Sequence, residues 1–130
     1  MIVTTDIANI IYKDCKTLNI NEMYQTGNIP EGVVTTERII VHTNTIETGI
    51  YWKVGFVQVN LCVPDLDKKG TANLIRLNEL ERLGNTLGKT GIHDDTQYRY
   101  SVDSIGIEED KPLKCHFVNI RILFETLNVK

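Results

Sequence analysis

The stretch Trp52-Lys-Val-Gly-Phe-Val-Gln-Val-Asn-Leu-Cys-Val-Pro-Asp65 decides how the rest of the chain is read. Val57, Val59, Leu61 and Val63 alternate with Gln58, Asn60 and Cys62, the two-residue period of a strand with one buried face. Pro64 ends the run, because proline has no N–H to give to a sheet ladder. Upstream, Trp52, Val54 and Phe56 put apolar side chains on even positions, whereas Val57 onward uses odd ones. The phase slips at Gly55-Phe56-Val57. A β-bulge near Gly55 would re-aim the strand and account for the slip. The alternative is a half-strand covered on both faces, one of them by a neighbouring subunit. Trp52, Val54 and Phe56 are therefore the candidate subunit-contact residues.

Before this strand, Thr5 or Asp6 can cap a helix over residues 5–18, with Ile7, Ile10, Ile11, Cys15 and Leu18 on one stripe. Ile20 to Tyr24 reads as a short strand, and Gly27 to Gly32 as a turn. Arg38 to Thr43 is a β-rich run that pairs with the opening stretch as a hairpin across the polar connection Asn44 to Gly49. After Pro64, Thr71 can cap a helix reaching Leu87, along which Leu74, Leu77, Leu80, Leu83 and Leu87 recur every three or four residues. Gly88 and Gly91 end it, and Ile92 to Thr96 reads as loop. Gln97 to Ile107 is the next strand, with Tyr98, Tyr100, Val102 and Ile105 inward. An acidic turn, Glu108 to Lys114, leads to the last strand, Cys115 to Thr126, where Val118, Ile120, Ile122 and Phe124 share a face. The order is α–(β)–β–β–α–β–β, and short connections favour antiparallel pairing. The expected fold class is α+β: a two-layer sandwich of a mainly antiparallel sheet of about four strands with two helices. Residues 1–130 are expected to form a single domain.

Composition narrows the function. A net charge of −3 argues against a grip on nucleic acid that neutralises many phosphates. No apolar run approaches the ~20 residues that span a bilayer, and Met1 to Asp6 lacks the basic and apolar regions of a signal peptide. Cys15, Cys62 and Cys115 are odd in number and far apart, which points to free thiols in a reducing compartment.

The chemistry-bearing residues form no recognisable site. His42, His93 and His116 lack partners at ligand spacing. His93-Asp94-Asp95 matches no zinc pattern and reads as a solvated loop. Asp65 and Asp67 could pair as carboxylates, but turn and cap roles are commoner. Cys115 and His116 are adjacent, so on a strand they point to opposite faces and make no thiolate–imidazole pair. Lys68, Lys69, Lys111 and Lys114 are too sparse for a nucleic-acid stripe. No glycine-rich phosphate loop or nucleophile elbow is present. No catalytic, cofactor or metal residues are assigned, and the chain is not expected to be an enzyme.

Several phrases, in their order along nearly the whole chain, resemble the phage tail-terminator, or tail-completion, proteins. They are Thr5-Asp6-Ile7, Arg38-Ile39-Ile40-Val41, Gly55-Phe56-Val57-Gln58-Val59-Asn60-Leu61-Cys62-Val63-Pro64-Asp65, and His116-Phe117-Val118-Asn119-Ile120-Arg121-Ile122-Leu123-Phe124-Glu125. The resemblance implies a structural virion protein of a phage or prophage. Such a protein forms a ring, commonly hexameric, that caps the tail tube and joins tail to head. Its implied partners are copies of itself, the tail tube and head-completion proteins, with no membrane and no specific nucleic acid. It would reside in the virion, and in the bacterial host cytoplasm during assembly. Residues 27–37 and 88–96 are then candidate contact arms. The second expectation is a small cytoplasmic α+β module of ferredoxin-like type that binds a ligand or a protein.

Overall fold

A computed structural model of the chain describes residues 1–44, 47–48 and 52–127, with residues 47, 48 and 52 described by their backbone alone. Helix α1 spans Thr4–Asp14 and runs into a 3-10 turn, Cys15–Leu18. The Asp6 carboxylate accepts the Val3 N–H at 3.0 Å, so Asp6 caps the helix from its third position. Ile7, Ile10 and Ile11 are buried, and Cys15 and Leu18 carry the stripe into the 3-10 turn. Asn19, at φ 59°, ends the segment in the left-handed region.

The strands are β1 (Glu22–Gln25), β2 (Arg38–Thr43), β3 (Glu47–Thr48), β4 (Trp52–Pro64), β5 (Gly88–His93), β6 (Thr96–Asp110) and β7 (Cys115–Leu127). They form one seven-stranded sheet in the order β1-β2-β4-β7-β6-β5, with β3 paired to β4. Helix α2, Leu74–Gly84, connects β4 to β5. Both helices lie on one face, where Val41, Val57, Val59, Leu61, Val118, Ile120, Ile122 and Phe124 meet Ile7, Ile11, Leu77 and Leu80. The Phe124 ring is sandwiched between Tyr98 and Tyr100, with centroids 5.3 and 5.7 Å away.

This architecture corrects the expected one. The sheet is neither four-stranded nor a plain antiparallel sandwich, and it is not the ferredoxin-like sandwich of the second expectation. It is mixed, because β1 runs parallel to β2, with Glu22 opposite Arg38 and Gln25 opposite Val41. The expected loop from Gly88 contains β5, which pairs with β6 from Gly88–Ser101 to His93–Thr96. Polar, mostly exposed Gly-Lys-Thr-Gly-Ile-His has no buried face of its own. Only the ladder offered by β6 makes it a strand. Glu108, Glu109 and Asp110 likewise belong to β6, which shortens the acidic turn to residues 111–114.

Two further expectations shift. Helix α2 starts at Leu74 with Asn73 as its cap, the Asn73 side chain accepting the Arg76 N–H at 3.3 Å. Thr71 instead belongs to the preceding turn. Leu77 and Leu80 are fully buried, but Leu74 and Leu83 are exposed, so the buried stripe is narrower than the leucine spacing predicts. The bulge expected near Gly55 is absent. Strand β4 pairs with β7 without interruption from Trp52–Leu127 to Pro64–Cys115. The register shift lies in β6, between Val102 and Ser104. Gly55 is simply a helix-side position without a side chain, opposite Phe124.

Candidate subunit-contact surface

Because the alternation in β4 never slips, its even residues all face away from the helices. Val54, Phe56, Gln58, Asn60 and Cys62 therefore line the second face of the sheet. Val54 and Phe56 are half-buried there. The side chain of Trp52 lies outside the described residues. Leu123 stands opposite Phe56 in β7 and is also half-buried. The Arg121 guanidinium sits 3.8 Å from the Phe56 ring centroid, a cation–π stack that keeps the charge at the surface. Its Nε lies 3.8 Å from Asp103.

Further along the same face the surface turns polar. Asn119 donates from Nδ2 to Gln58 Oε1 at 2.8 Å and to Asn60 Oδ1 at 2.7 Å. His42 and Thr26 share a hydrogen bond of 3.0 Å between Nδ1 and Oγ1, and burial holds the His42 pKa below the ordinary histidine value. At the far end, Val34 and Ile29 of the connection between β1 and β2 cover Ile40, Cys62 and Cys115. That connection is pinned by the Val34 N–H donating to the Leu113 carbonyl at 2.9 Å. The second face thus has three zones: an apolar patch at Val54, Phe56 and Leu123, an amide ladder, and a covered thiol cluster.

The helix-covered side ends in a cleft of about 280 Å³ lined by Asp65, Lys68, Lys69, Glu109, Lys111 and Lys114. His116 is held beside it. Its Nδ1 is 2.6 Å from Asp65 Oδ1, and its Nε2 is 3.4 Å from Glu109 Oε2. Asp65 and Asp67 both line the cleft but take different partners. Asp67 accepts the N–H groups of Lys69 and Thr71 and the Thr71 hydroxyl at 2.9, 3.2 and 2.8 Å. The Thr71 hydroxyl bond, with these backbone donors, holds its carboxyl below the usual range. The Asp65–His116 contact spans 51 positions and has no local signature. Aligning the last two residues of β4 with the start of β7 would have found it, since Pro64 faces Cys115.

An imidazole between two carboxylates can relay or hold a proton, but the cleft lining offers no hydroxyl or thiol nucleophile. Cys115, next in sequence, points to the opposite face. Among the described residues no group of three or more His, Cys, Asp or Glu side chains is disposed to hold a metal ion. His93, Asp94 and Asp95 are likewise spent on structure. Asp94 meets the amino terminus of Met1 at 3.0 Å, His93 Nε2 lies 3.5 Å from Asp6, and Asp94 and Asp95 form the left-handed turn between β5 and β6. All three cysteines are free and buried. Burial in the helix-side core pushes the Cys15 thiol up to about 12. No known protein family and no curated protein matches this sequence.

Proposed function

We propose that this chain is a ring-forming structural subunit of a phage or prophage virion, of the tail-terminator kind, and that Val54 and Phe56 lie in the contact between copies. The observation that carries the reading is the unequal covering of the sheet. One face holds both helices, while the other presents Val54, Phe56 and Leu123 with no element of the described residues laid over them. The sheet also ends in unlike edges. One is the short strand β1. At the other, β6 runs beyond Ser101 without a β5 partner. Unlike surfaces that meet head to tail close into rings when the rotation per copy divides a full turn. The −3 charge suits a wall that does not hold DNA passing through its lumen.

The test is light scattering and negative-stain imaging of the purified chain, alone and mixed with tail tubes. The expected result is rings, or particles seated on tube ends. Phe56→Glu abolishes them while leaving the thermal melt of the subunit unchanged. A chain that stays monomeric at every concentration and ignores tail tubes refutes the proposal.

A further inference from the structure

Helix α2 carries apolar side chains where a surface helix is normally polar. Leu77 and Leu80 on its inner side are fully buried against the sheet, yet Leu74, Ile75 and Leu83 on its outer side are 64, 79 and 41% exposed. Ile75, Glu79 and Leu83 recur every four residues, so they form one outward row about two turns long, roughly 12 Å at 1.5 Å per residue. Helix α1 has no such row, since its exposed positions are Thr5, Asn9 and Lys13. Apolar residues gathered on the outside of one helix, and absent from the other, mark a contact surface.

The helix-free face of the sheet offers the matching half. Val54, Phe56 and Leu123 form its apolar patch, and the β6 positions next to the patch on that face are small. Ser101 stands opposite Leu123, Ser104 opposite Arg121 and Gly106 opposite Asn119. A Cβ built on Gly106 meets no atom within 4 Å. The patch is therefore bordered by a low shelf on which a helix can lie.

The charges of the two surfaces also suit each other. Arg121, stacked on Phe56, is half-exposed, and its ion-pair partner among the described residues, Asp103, is as far as 3.8 Å from Nε. Glu125, beside Val54, is already held by Arg99. On α2 the exposed Glu79 shares the Arg76 guanidinium with Glu37, two carboxylates on one cation. Arg82 is hydrogen-bonded to Asn78. Negative charge is thus left over in the middle of the outward row, where a guanidinium can meet it.

We propose that the occupant of the Val54–Phe56–Leu123 patch is helix α2 of the next copy, its Ile75 and Leu83 seated on the patch and its Glu79 facing Arg121. The inference rests on the ring-forming reading and names the second of the two surfaces that meet. Each subunit covers its neighbour's bare sheet face with a helix, as its own helices cover the other face. The contact joins unlike surfaces, so it propagates head to tail instead of stopping at a two-fold dimer. Phe56 with its stacked Arg121 is the anchor, an aromatic and an arginine being the residue types that dominate such contacts.

The experiment compares the full-length wild type with Ile75→Glu, Phe56→Glu and, as a control on the polar helix, Lys13→Glu, by light scattering and negative-stain imaging. Val54→Glu takes the place of Phe56→Glu should that variant not fold. Ile75→Glu and Phe56→Glu are each expected to stay monomeric with unchanged thermal melts, while Lys13→Glu forms rings like wild type. Mixed one to one, the two monomeric variants form dimers and nothing larger. Only one intact contact remains in the mixture, α2 of the Phe56→Glu copy on the sheet of the Ile75→Glu copy. Rings that persist in Ile75→Glu but vanish in Phe56→Glu overturn this inference and leave the ring-forming reading standing. A mixture that stays monomeric overturns it as well, since the patch then meets some other surface. A wild type that never assembles, alone or on tail tubes, overturns both.

Discussion

Val59→Asp tests the assignment of faces on the central strand. Val59 is 0% exposed and lies opposite Val41 in β2 and Ile120 in β7. Losing the buried valine costs about 1.5–3 kcal/mol. The new carboxyl finds only aliphatic neighbours, so in the folded state it stays protonated. Keeping it so at neutral pH against an unfolded pKa of about 4 adds roughly 4 kcal/mol, at about 1.4 kcal/mol per unit. Its unpaired polar atoms add about 1–3 kcal/mol. The sum, on the order of 6–10 kcal/mol, rivals the whole stability of a small domain, about 5–15 kcal/mol. The variant should therefore be largely unfolded at neutral pH.

The sign of its pH dependence is distinctive. The folded pKa is raised, so above about pH 4 the unfolded state binds fewer protons than the folded state, and stability falls as pH rises. Urea melts followed by far-UV circular dichroism at several pH values measure this. Asn60→Asp is the matched control on the other face. Its carboxylate still accepts from Asn119 Nδ2, and the expected loss is under about 1 kcal/mol. A Val59→Asp protein that melts like wild type, or whose deficit does not change with pH, refutes the placement of β4 between β2 and β7.

Gly84→Ala should destabilise despite the better helix former. The added methyl runs into Ile120, which is fully buried, and overpacking of about 1–3 kcal/mol outweighs the ~1 kcal/mol gained in helix propensity. Equal or higher stability in a urea melt would show that Ile120 can yield. For Asp67, the depressed carboxyl pKa means that its contribution is present above about pH 4 and is lost as pH falls through the folded value. Asp67→Asn should accordingly be less stable than wild type at neutral pH and converge on it in acid. Parallel pH–stability curves would remove the carboxylate from the turn.

How much of this was legible beforehand depends on what each residue's signal measures. Alternation from Val57 to Val63 and from Val118 to Phe124 placed both central strands, and they pair along their full lengths. Strong period-2 patterning survives because one face is dry and the other wet. The same logic misread Trp52 to Phe56. Apolar even positions there look like a slipped phase, whereas the strand is regular and its second face is partly apolar. A β5 made of glycine, lysine, threonine and histidine has no pattern to read, since a ladder of backbone hydrogen bonds carries no side-chain signature. The leucine spacing found α2 but not which leucines are buried, because Leu74 opens the helix and Leu83 lies at the margin of its contact with the sheet. Asp65 and His116 are remote in sequence, so only strand pairing could bring them together.

By itself, then, the sequence determined the elements with a hydrophobic period: the N-terminal helix, β2, the aliphatic half of β4, the core of α2, the inner rows of β6 and β7, and the absence of paired cysteines close in sequence. These depend on local burial, and burial is written in residue type. Tertiary structure alone decided the strand count, the parallel pairing of β1, the course of Val54 and Phe56 onto the helix-free face, and the meeting of Asp65 with His116. Those depend on which backbone lies beside which. The hydrogen-bonded ladder that sets it is chemically the same for every residue but proline.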